Sequence, residues 1–522
     1  MQRGQWKGIG LVALALAGSA RAAGSPGQAQ GPDPLLLKPG PPLAGGVLSE
    51  RVLEELRRPL LEGPLDSTRP LAHEELAPSA PEAQLEEPRP ARTDLNPSVL
   101  ATPPRRPDVR PQAAGVAAAE TLAIHLTMLA WNRWVGEASW GNISGRSVWR
   151  NVTSSWVLDD DQYWINQLGH PYQGTLAYST ARSAGLSFWW SSLYPFAEST
   201  LWELTGETEP PSLNDQVTTV VSGVVIGEVL QRISDALGAR QGAGERLAAV
   251  ALNPVGAVNS QIFARNPIPP PPARALFVAG VLTGDADGAG WASRGALPVG
   301  YAGVDLVYGI PGDPRFRLSR PFDHFVLQAG WGALGAPDAT LRARGLVVGA
   351  QGELGRDARG VWGLFLSFDF DTPGDYRVST SALGLGASGR LDLGPELALD
   401  GTAIASAVLM GAAGAIERPP PPEEGRDYRL GPGEQALLEL ELLWRRVRAG
   451  VTLRQLFLYG LDQGAGTELR IDAGARAVFQ LVGSHGVGVE AVRLLRRSED
   501  RGAGPETESG STVRVYYAYD MR

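Results

Sequence analysis

Glu468-Leu469-Arg470-Ile471-Asp472-Ala473-Gly474-Ala475-Arg476-Ala477-Val478-Phe479-Gln480-Leu481 is the stretch on which the fold turns. Leu469, Ile471, Ala473, Ala475, Ala477, Phe479 and Leu481 fall on one side of an extended chain. Glu468, Arg470, Asp472, Gly474, Arg476 and Gln480 fall on the other, because successive side chains of a strand point to opposite faces. One face therefore needs an apolar surround and the other needs water. A transmembrane β-barrel supplies both, with lipid outside and a wet lumen inside.

The same period of two recurs on either side. Trp362, Leu364, Leu366, Phe368 and Phe370 alternate with Gly363, Ser367 and Asp369. Leu438, Leu440, Leu442 and Trp444 alternate with Glu439 and Glu441. Val513, Val515, Tyr517 and Tyr519 oppose Thr512, Arg514 and Asp520. About a dozen such segments fit between Ala275 and the C-terminus, separated by Gly/Pro/Asp turns. Trp331, Trp362, Trp444, Tyr459 and Tyr519 stand near segment ends, as interfacial girdles require. A soluble β-sandwich alternates in the same way and is the competing reading, which would make the chain a soluble periplasmic β-rich binding protein.

Upstream of the strands the period changes. Asn266-Pro267-Ile268-Pro269-Pro270-Pro271-Pro272 reads as a stiff hinge over 266–274. Nine of the 14 tryptophans lie between Trp131 and Trp202, inside a helical domain assigned to 115–265. Ala117 to Glu137 has helical spacing, with Leu122, Leu126, Leu129 and Trp134 as its apolar stripe. Further helices are expected over about 174–204, bent at Pro195, over 214–237 and over 245–251.

Residues 23–114 read as a disordered Pro-rich tether, holding 18 of the 41 prolines and no tryptophan. Ser49 to Arg58 is either a docking peptide for a cell-envelope partner or a transient helix in a linker. Arg3 and Lys7, the apolar run Gly8–Gly18 and Ala20-Arg21-Ala22 form a signal peptide over 1–22. The expected fold class is thus α+β multidomain: a helical domain followed by an antiparallel transmembrane β-barrel of about 12 strands, over 275–522. Its expected location is the outer membrane, with the N-terminal region in the periplasm, outer-membrane lipids around the barrel, and the helical domain at the periplasmic mouth or along the membrane interface.

Composition narrows the chemistry. The chain has 522 residues, a net charge of -9 and no cysteine. Thiol nucleophiles, disulfides and Cys-ligated metals are excluded. The acidic balance argues against nucleic acid as a partner. No Walker loop, GxSxG, HExxH or Rossmann pattern occurs in its required setting. With only five histidines, no metal and no cofactor are expected.

The densest polar constellation lies in the helical domain. His170 can act as acid/base or metal ligand, with Asp215 orienting it. Glu198 shares a helix face with Trp202, and Glu203 follows; burial would perturb such carboxylates. His170, Glu198, Glu203 and Asp215 are the catalytic candidates, and Arg182, Glu207 and Glu228 the ligand-binding candidates. A structural reading competes: Ser212 or Asn214 as N-cap with Asp215 at the positive helix end, and Gly223 and Gly227 as a close-packing GxxxG pair.

From His170-Pro171-Tyr172 through Ala181-Arg182-Ser183, Trp202-Glu203, Gly206-Glu207-Thr208-Glu209-Pro210-Pro211-Ser212, Asn214-Asp215, Gly223, Gly227-Glu228 to Asn253-Pro254, the sequence resembles a bacterial domain-of-unknown-function family, number 3943. The resemblance covers about residues 130–260. It implies a coherent domain and carries no activity to transfer. Two functions follow as expectations: a barrel with a helical envelope-contact or gating domain, in a structural or transport role, or an outer-membrane lipid-modifying enzyme using the polar cluster.

Overall fold

The computed structural model describes residues 112–521, apart from 137, 241, 264–269, 287–298, 334–337, 356, 373–375, 416–425, 427, 462–465 and 500–504. The expected signal peptide, nearly all of the expected tether with its 49–58 island, and part of the expected hinge lie outside the described residues.

The alternating segments form twelve antiparallel strands: β1 (Ala273–Ala286), β2 (Val299–Tyr308), β3 (Phe325–Ala333), β4 (Asp338–Leu354), β5 (Ala358–Asp371), β6 (Tyr376–Gly394), β7 (Leu397–Ala415), β8 (Arg429–Trp444), β9 (Val447–Tyr459), β10 (Thr467–Val482), β11 (His485–Glu499) and β12 (Glu506–Met521). Each pairs with its sequence neighbours, and β12 pairs with β1, from Ala275 opposite Met521 to Ala286 opposite Gly510. The sheet closes on itself, so no edge is left, and the β-sandwich alternative falls. This is an outer-membrane-type barrel, apolar outside and charged within.

Register fixes which face is which. Asp305, Gln328, Arg342 and Asp369 sit opposite one another along successive strands, and so share a face. Leu306, Leu327, Ala343, Phe368, Ser381 and Met410 likewise share the opposite face. The first set lines the lumen. Guanidinium–carboxylate pairs cross that lumen between distant strands: Arg476 on β10 with Asp305 on β2 at 2.6 Å, and Arg274 on β1 with Glu441 on β8 at 2.8 Å. Arg454 on β9 pairs with Asp369 on β5, and Arg344 on β4 with Glu439 on β8.

The helices are α1 (Ala113–Trp134), α2 (Gly145–Thr153), α3 (His170–Ser183), α4 (Phe188–Ser191), α5 (Leu193–Thr205), α6 (Leu213–Gly238), α7 (Ala243–Leu252) and α8 (Pro254–Phe263). The expected bend at Pro195 is instead a break at Gly185, whose φ of +105° suits glycine. Pro195 sits in the first turn of α5, where its missing N–H costs nothing. Ser212 caps α6 by accepting from the Asp215 N–H. Gly223 and Gly227 do permit close packing: a Cβ at Gly223 would stand 2.6 Å from the Gly174 backbone, and one at Gly174 would stand 2.0 Å from the Thr219 carbonyl oxygen. Gly174→Ala should therefore force α3 off α6 and cost about 1–3 kcal/mol, read as a lower helical melting temperature in detergent.

The helical unit does not cap a mouth of the barrel. It packs on the outer wall. Val224, Val225, Val229, Tyr178, Phe188 and Tyr163 form one core with Phe325, Ala343, Phe368, Phe370, Met410 and Ala412, which are outward-facing residues of β3 to β7. The Ser222 and Ser381 hydroxyls meet at 2.6 Å in the middle of this contact. Phe368 is consequently 1% exposed, whereas Phe479, equally outward on β10, is 46% exposed. The α6 helix runs from the rim where β8 begins to the rim where β1 begins. Asn214 at its start bonds Asp159, whose neighbour Asp161 accepts from Tyr428 just before β8. Arg232 near its end pairs with Asp323 in the β2–β3 connection.

The α1 helix turns its small side inward. Its buried residues are Ala113, Ala117, His125 and Asn132. The apolar stripe read from the spacing points outward, with Leu126 53% and Trp134 73% exposed. Trp149, Trp190, Phe196 and Leu247 are also exposed. On α1, small and polar groups thus lie inside and large apolar groups outside.

Candidate functional site

Three separate clusters take up the polar residues of the helical unit. The first gathers His170, Glu203 and Asp215, with Asp159. A π-turn at Ile165–Gly169 leads into α3 and sets His170 at its start. Such turns recur at functional sites, because the extra residue re-aims a side chain. Glu203 comes from the last turn of α5 and Asp215 from the first turn of α6. His170 Nε2 lies 3.8 Å from Asp215 Oδ2. The ligating atoms of His170, Glu203 and Asp215 all lie within 4.8 Å of one another.

The chain holds one side of each carboxylate. The Ser212 N–H donates to Glu203 Oε2 at 2.7 Å, and Asn214 Nδ2 donates to Asp215 Oδ1 at 3.0 Å. Asn214 and Asn166 both donate to Asp159 Oδ1, at 3.0 and 2.6 Å. Asn166 also donates to the Tyr428 hydroxyl, which ties the cluster to the barrel. The other oxygens, Glu203 Oε1 and Asp215 Oδ2, have no hydrogen-bond partner, although Glu203 is 0% and Asp215 1% exposed.

Electrostatics reflect that crowding. Desolvation, together with the fields of Asp159 and Asp161, pushes the Glu203 carboxyl up to about 8, against the lowering effect of the Ser212 N–H bond. Half-buried Glu207 is raised too, by desolvation first and then by Glu203. Desolvation lowers His170 and so keeps its imidazole neutral. Asp159, though desolvated, is held below its ordinary value by hydrogen bonding with Asp215 and Asn214. A neutral imidazole beside carboxylates at different protonation levels can accept and return a proton.

Glu198 is not part of this cluster. Gln173 Nε2 donates to both its oxygens at 2.9 Å, and His125 Nδ1 lies 3.4 Å away. The His125 ring meets Trp202 edge-on at 5.4 Å. Glu198 is thus a satisfied buried carboxylate flanking the first cluster.

Arg182 and Glu228 form a third. Arg182 Nε and the Tyr178 hydroxyl donate to Glu228 Oε2 at 2.7 and 2.6 Å. Arg232 Nε donates to Glu228 Oε1 at 2.7 Å and Arg232 Nη1 to Asp323 at 2.8 Å. This ladder joins α3, α6 and the barrel, and it takes up Arg182 and Glu228, two of the three residues expected to bind a ligand.

Sequence reading missed Asp159, Asn166 and Gln173. Asp159-Asp160-Asp161 looks like a solvated acidic run, and only the fold turns its first member inward. It also expected no metal. His170, Glu203 and Asp215 come from three different elements, so their meeting leaves no spacing motif in the chain.

Comparison with known proteins places these residues in one segment. Among curated protein sequences, none matches. Solved structures to which the chain is similar include a KdgM porin in complex with disordered oligogalacturonate, at 8% identity over 47% of this chain and 99% of that one, with a TM-score of 0.21. The CymD monoaromatic hydrocarbon channel aligns at 10% identity over 56% of this chain and 97% of that one, TM-score 0.20. The translocator domain of autotransporter NalP from Neisseria meningitidis aligns at 15% over 55% and 97%, TM-score 0.21. Residues 155–255, which carry all three clusters apart from His125 and the barrel's Asp323 and Tyr428, match the family described as Domain of unknown function (DUF3943).

Proposed function

We propose that this outer-membrane barrel is an anchor, and that its helical unit is a lipid-modifying enzyme working through His170, Glu203 and Asp215. The observation that carries the reading is the inverted polarity of the helical unit. Its outer surface is apolar, its interior holds titratable groups, and it lies against the wall of the barrel that lipid would otherwise cover. A substrate delivered by lateral diffusion in the bilayer suits such a placement.

The connections at the rim where β1 begins include turns of only two residues, at 395–396, 445–446 and 483–484. Short turns mark the periplasmic end of bacterial barrels. The His170 cluster stands beside the opposite rim, which puts it at the headgroups of the outer leaflet. The serine beside the cluster, Ser212, has its hydroxyl engaged in capping α6, so the cluster is suited to activating water, and the reaction class is hydrolysis. Two features weigh against a gated pore: the helices stand beside the barrel, and ion pairs cross the lumen.

Outer-membrane vesicles carrying the wild-type protein should convert a lipid species that vesicles carrying Asp215→Asn leave intact, by mass spectrometry of the lipid extract. The drop should be at least about 100-fold, as for loss of a general acid–base group. The heat-modifiable barrel band should persist in both. Identical lipid profiles in wild type, variant and protein-free vesicles would sink the reading.

A further inference from the structure

We propose that His170 Nε2, Glu203 Oε1 and Asp215 Oδ2 bind one divalent metal ion of the zinc or manganese class. The ligand geometry comes first. Three atoms from α3, α5 and α6 converge within 4.8 Å, with the nitrogen and Asp215 Oδ2 3.8 Å apart. Ligands of a tetrahedral ion stand about 3.3–3.6 Å apart when each bond is about 2.0–2.2 Å. A closure of about an ångström, within the reach of the Glu203 side chain, completes the set.

The unpartnered oxygens are an independent sign. Glu203 and Asp215 each have one oxygen fixed by the chain and one facing the shared space without a donor. A buried carboxylate oxygen with no donor is expensive, and native proteins seldom leave two side by side. Among the described residues, neither carboxylate has an Arg or Lys ion pair; His170 beside Asp215 is the one basic partner. A divalent cation supplies the missing partner for both oxygens and favours the ionised form of each carboxyl.

The supporting shell is also that of a metal site. Ser212 and Asn214 orient Glu203 and Asp215 through direct hydrogen bonds, as outer-shell partners of metal ligands do, and Asp159, held by Asn166, fixes Asn214 in turn. One nitrogen and two carboxylates suit zinc, manganese or ferrous iron, and fall short of the six to eight oxygens calcium takes. Three protein ligands leave a position for water, the count of a catalytic rather than a closed structural site. The ion deepens the lipid-modifying reading by naming what would activate water, but metal content is measured without any lipid substrate.

The test uses the full chain, expressed without a histidine tag and purified in detergent. It is loaded with Zn2+ or Mn2+ alone, desalted, and analysed for metal by mass spectrometry. Wild type should retain one equivalent of one of the two. Glu203→Gln and Asp215→Asn should each bind it about 10–100-fold more weakly or worse. His485→Asn, at an exposed barrel turn, should bind as wild type does. Neither metal retained by wild type, or wild-type retention in both carboxylate variants, overturns the site. Should the variants lose their fold, X-ray absorption of the loaded wild type decides: a nitrogen/oxygen shell with one imidazole supports the site, and more than one imidazole overturns it. Bound metal without lipid turnover would sink the enzymatic reading and leave the metal site standing.

Discussion

Arg232→Ala should release the helical unit from the barrel wall. Arg232 is where α6 meets the β2–β3 connection. Its Nε donates to Glu228 on its own helix, Nη1 to Asp323 and Nη2 to the Pro321 carbonyl at 2.6 Å. Both carboxylates are buried, and Asp323 also accepts from the Ser319 and Arg320 backbone N–H groups. Truncating one partner of a buried network leaves charge uncompensated and typically costs about 3–5 kcal/mol. The surrounding connection is itself strained: Phe322 holds a φ of +62° while it stacks on Phe188 at 5.6 Å. That strain is tolerable only while the dock holds. The expected result is rapid proteolysis of the segment from α1 to α8 in detergent, with the heat-modifiable barrel band unchanged. Arg232→Lys should fall between, since an ammonium cannot reach two carboxylates and a carbonyl in one planar fork. Wild-type protection in Arg232→Ala would mean that apolar contact alone holds the unit in place.

The same contact explains what could be read from the sequence and what could not. The barrel was legible because a strand between lipid and water writes its environment into every second residue, as Glu468 to Leu481 does. The covering of β3 to β7 was not legible. Phe368 and Phe479 satisfy one requirement, an apolar surround, whether helix or lipid provides it. The direction of α1 was lost for a related reason. Spacing shows that Leu122, Leu126 and Trp134 share a face, but in a bilayer the apolar face looks outward. Of the candidate site residues, His170, Glu203 and Asp215 do meet. Glu198 was drawn in by its apolar neighbours, yet Gln173 satisfies it. Nothing in the sequence marks Arg232: four residues after Glu228, it has the spacing of any ion pair along a helix. Only the strand connection carrying Asp323 makes that pair a buried dock.

A second large effect is expected inside the barrel. Glu441 accepts from three guanidinium groups: Arg274 and Arg476 at 2.8 Å each, and Arg448 at 3.2 Å. Arg476 also reaches Asp305 across the lumen at 2.6 Å. Asp305 and Arg476 line two cavities of the lumen, of about 130 and 110 Å³, and Glu441, Arg274 and Arg448 line the second. Glu441→Ala removes the acceptor common to the three arginines, which retain only Asp305, Asp400 and Asp520. Their mutual repulsion is then only partly compensated, Arg274 most weakly with Asp400 at 3.9 Å, and water is drawn in between them. The loss should reach the lower end of about 3–5 kcal/mol, since that water screens part of it. It should appear as a lower temperature for the heat-modifiable shift. In planar bilayers the wild type should be nearly silent, while Glu441→Ala should open a small anion-preferring conductance, because basic groups then line the passage. Glu441→Gln should lower stability less, as an amide oxygen still accepts from one or two of the arginines. A wild-type barrel that already conducts steadily would return the transport reading to first place and make the crossing ion pairs a selectivity filter. A silent Glu441→Ala barrel with a lowered shift temperature would show that the remaining pairs, Arg454 with Asp369 and Arg344 with Glu439, close the lumen without this layer.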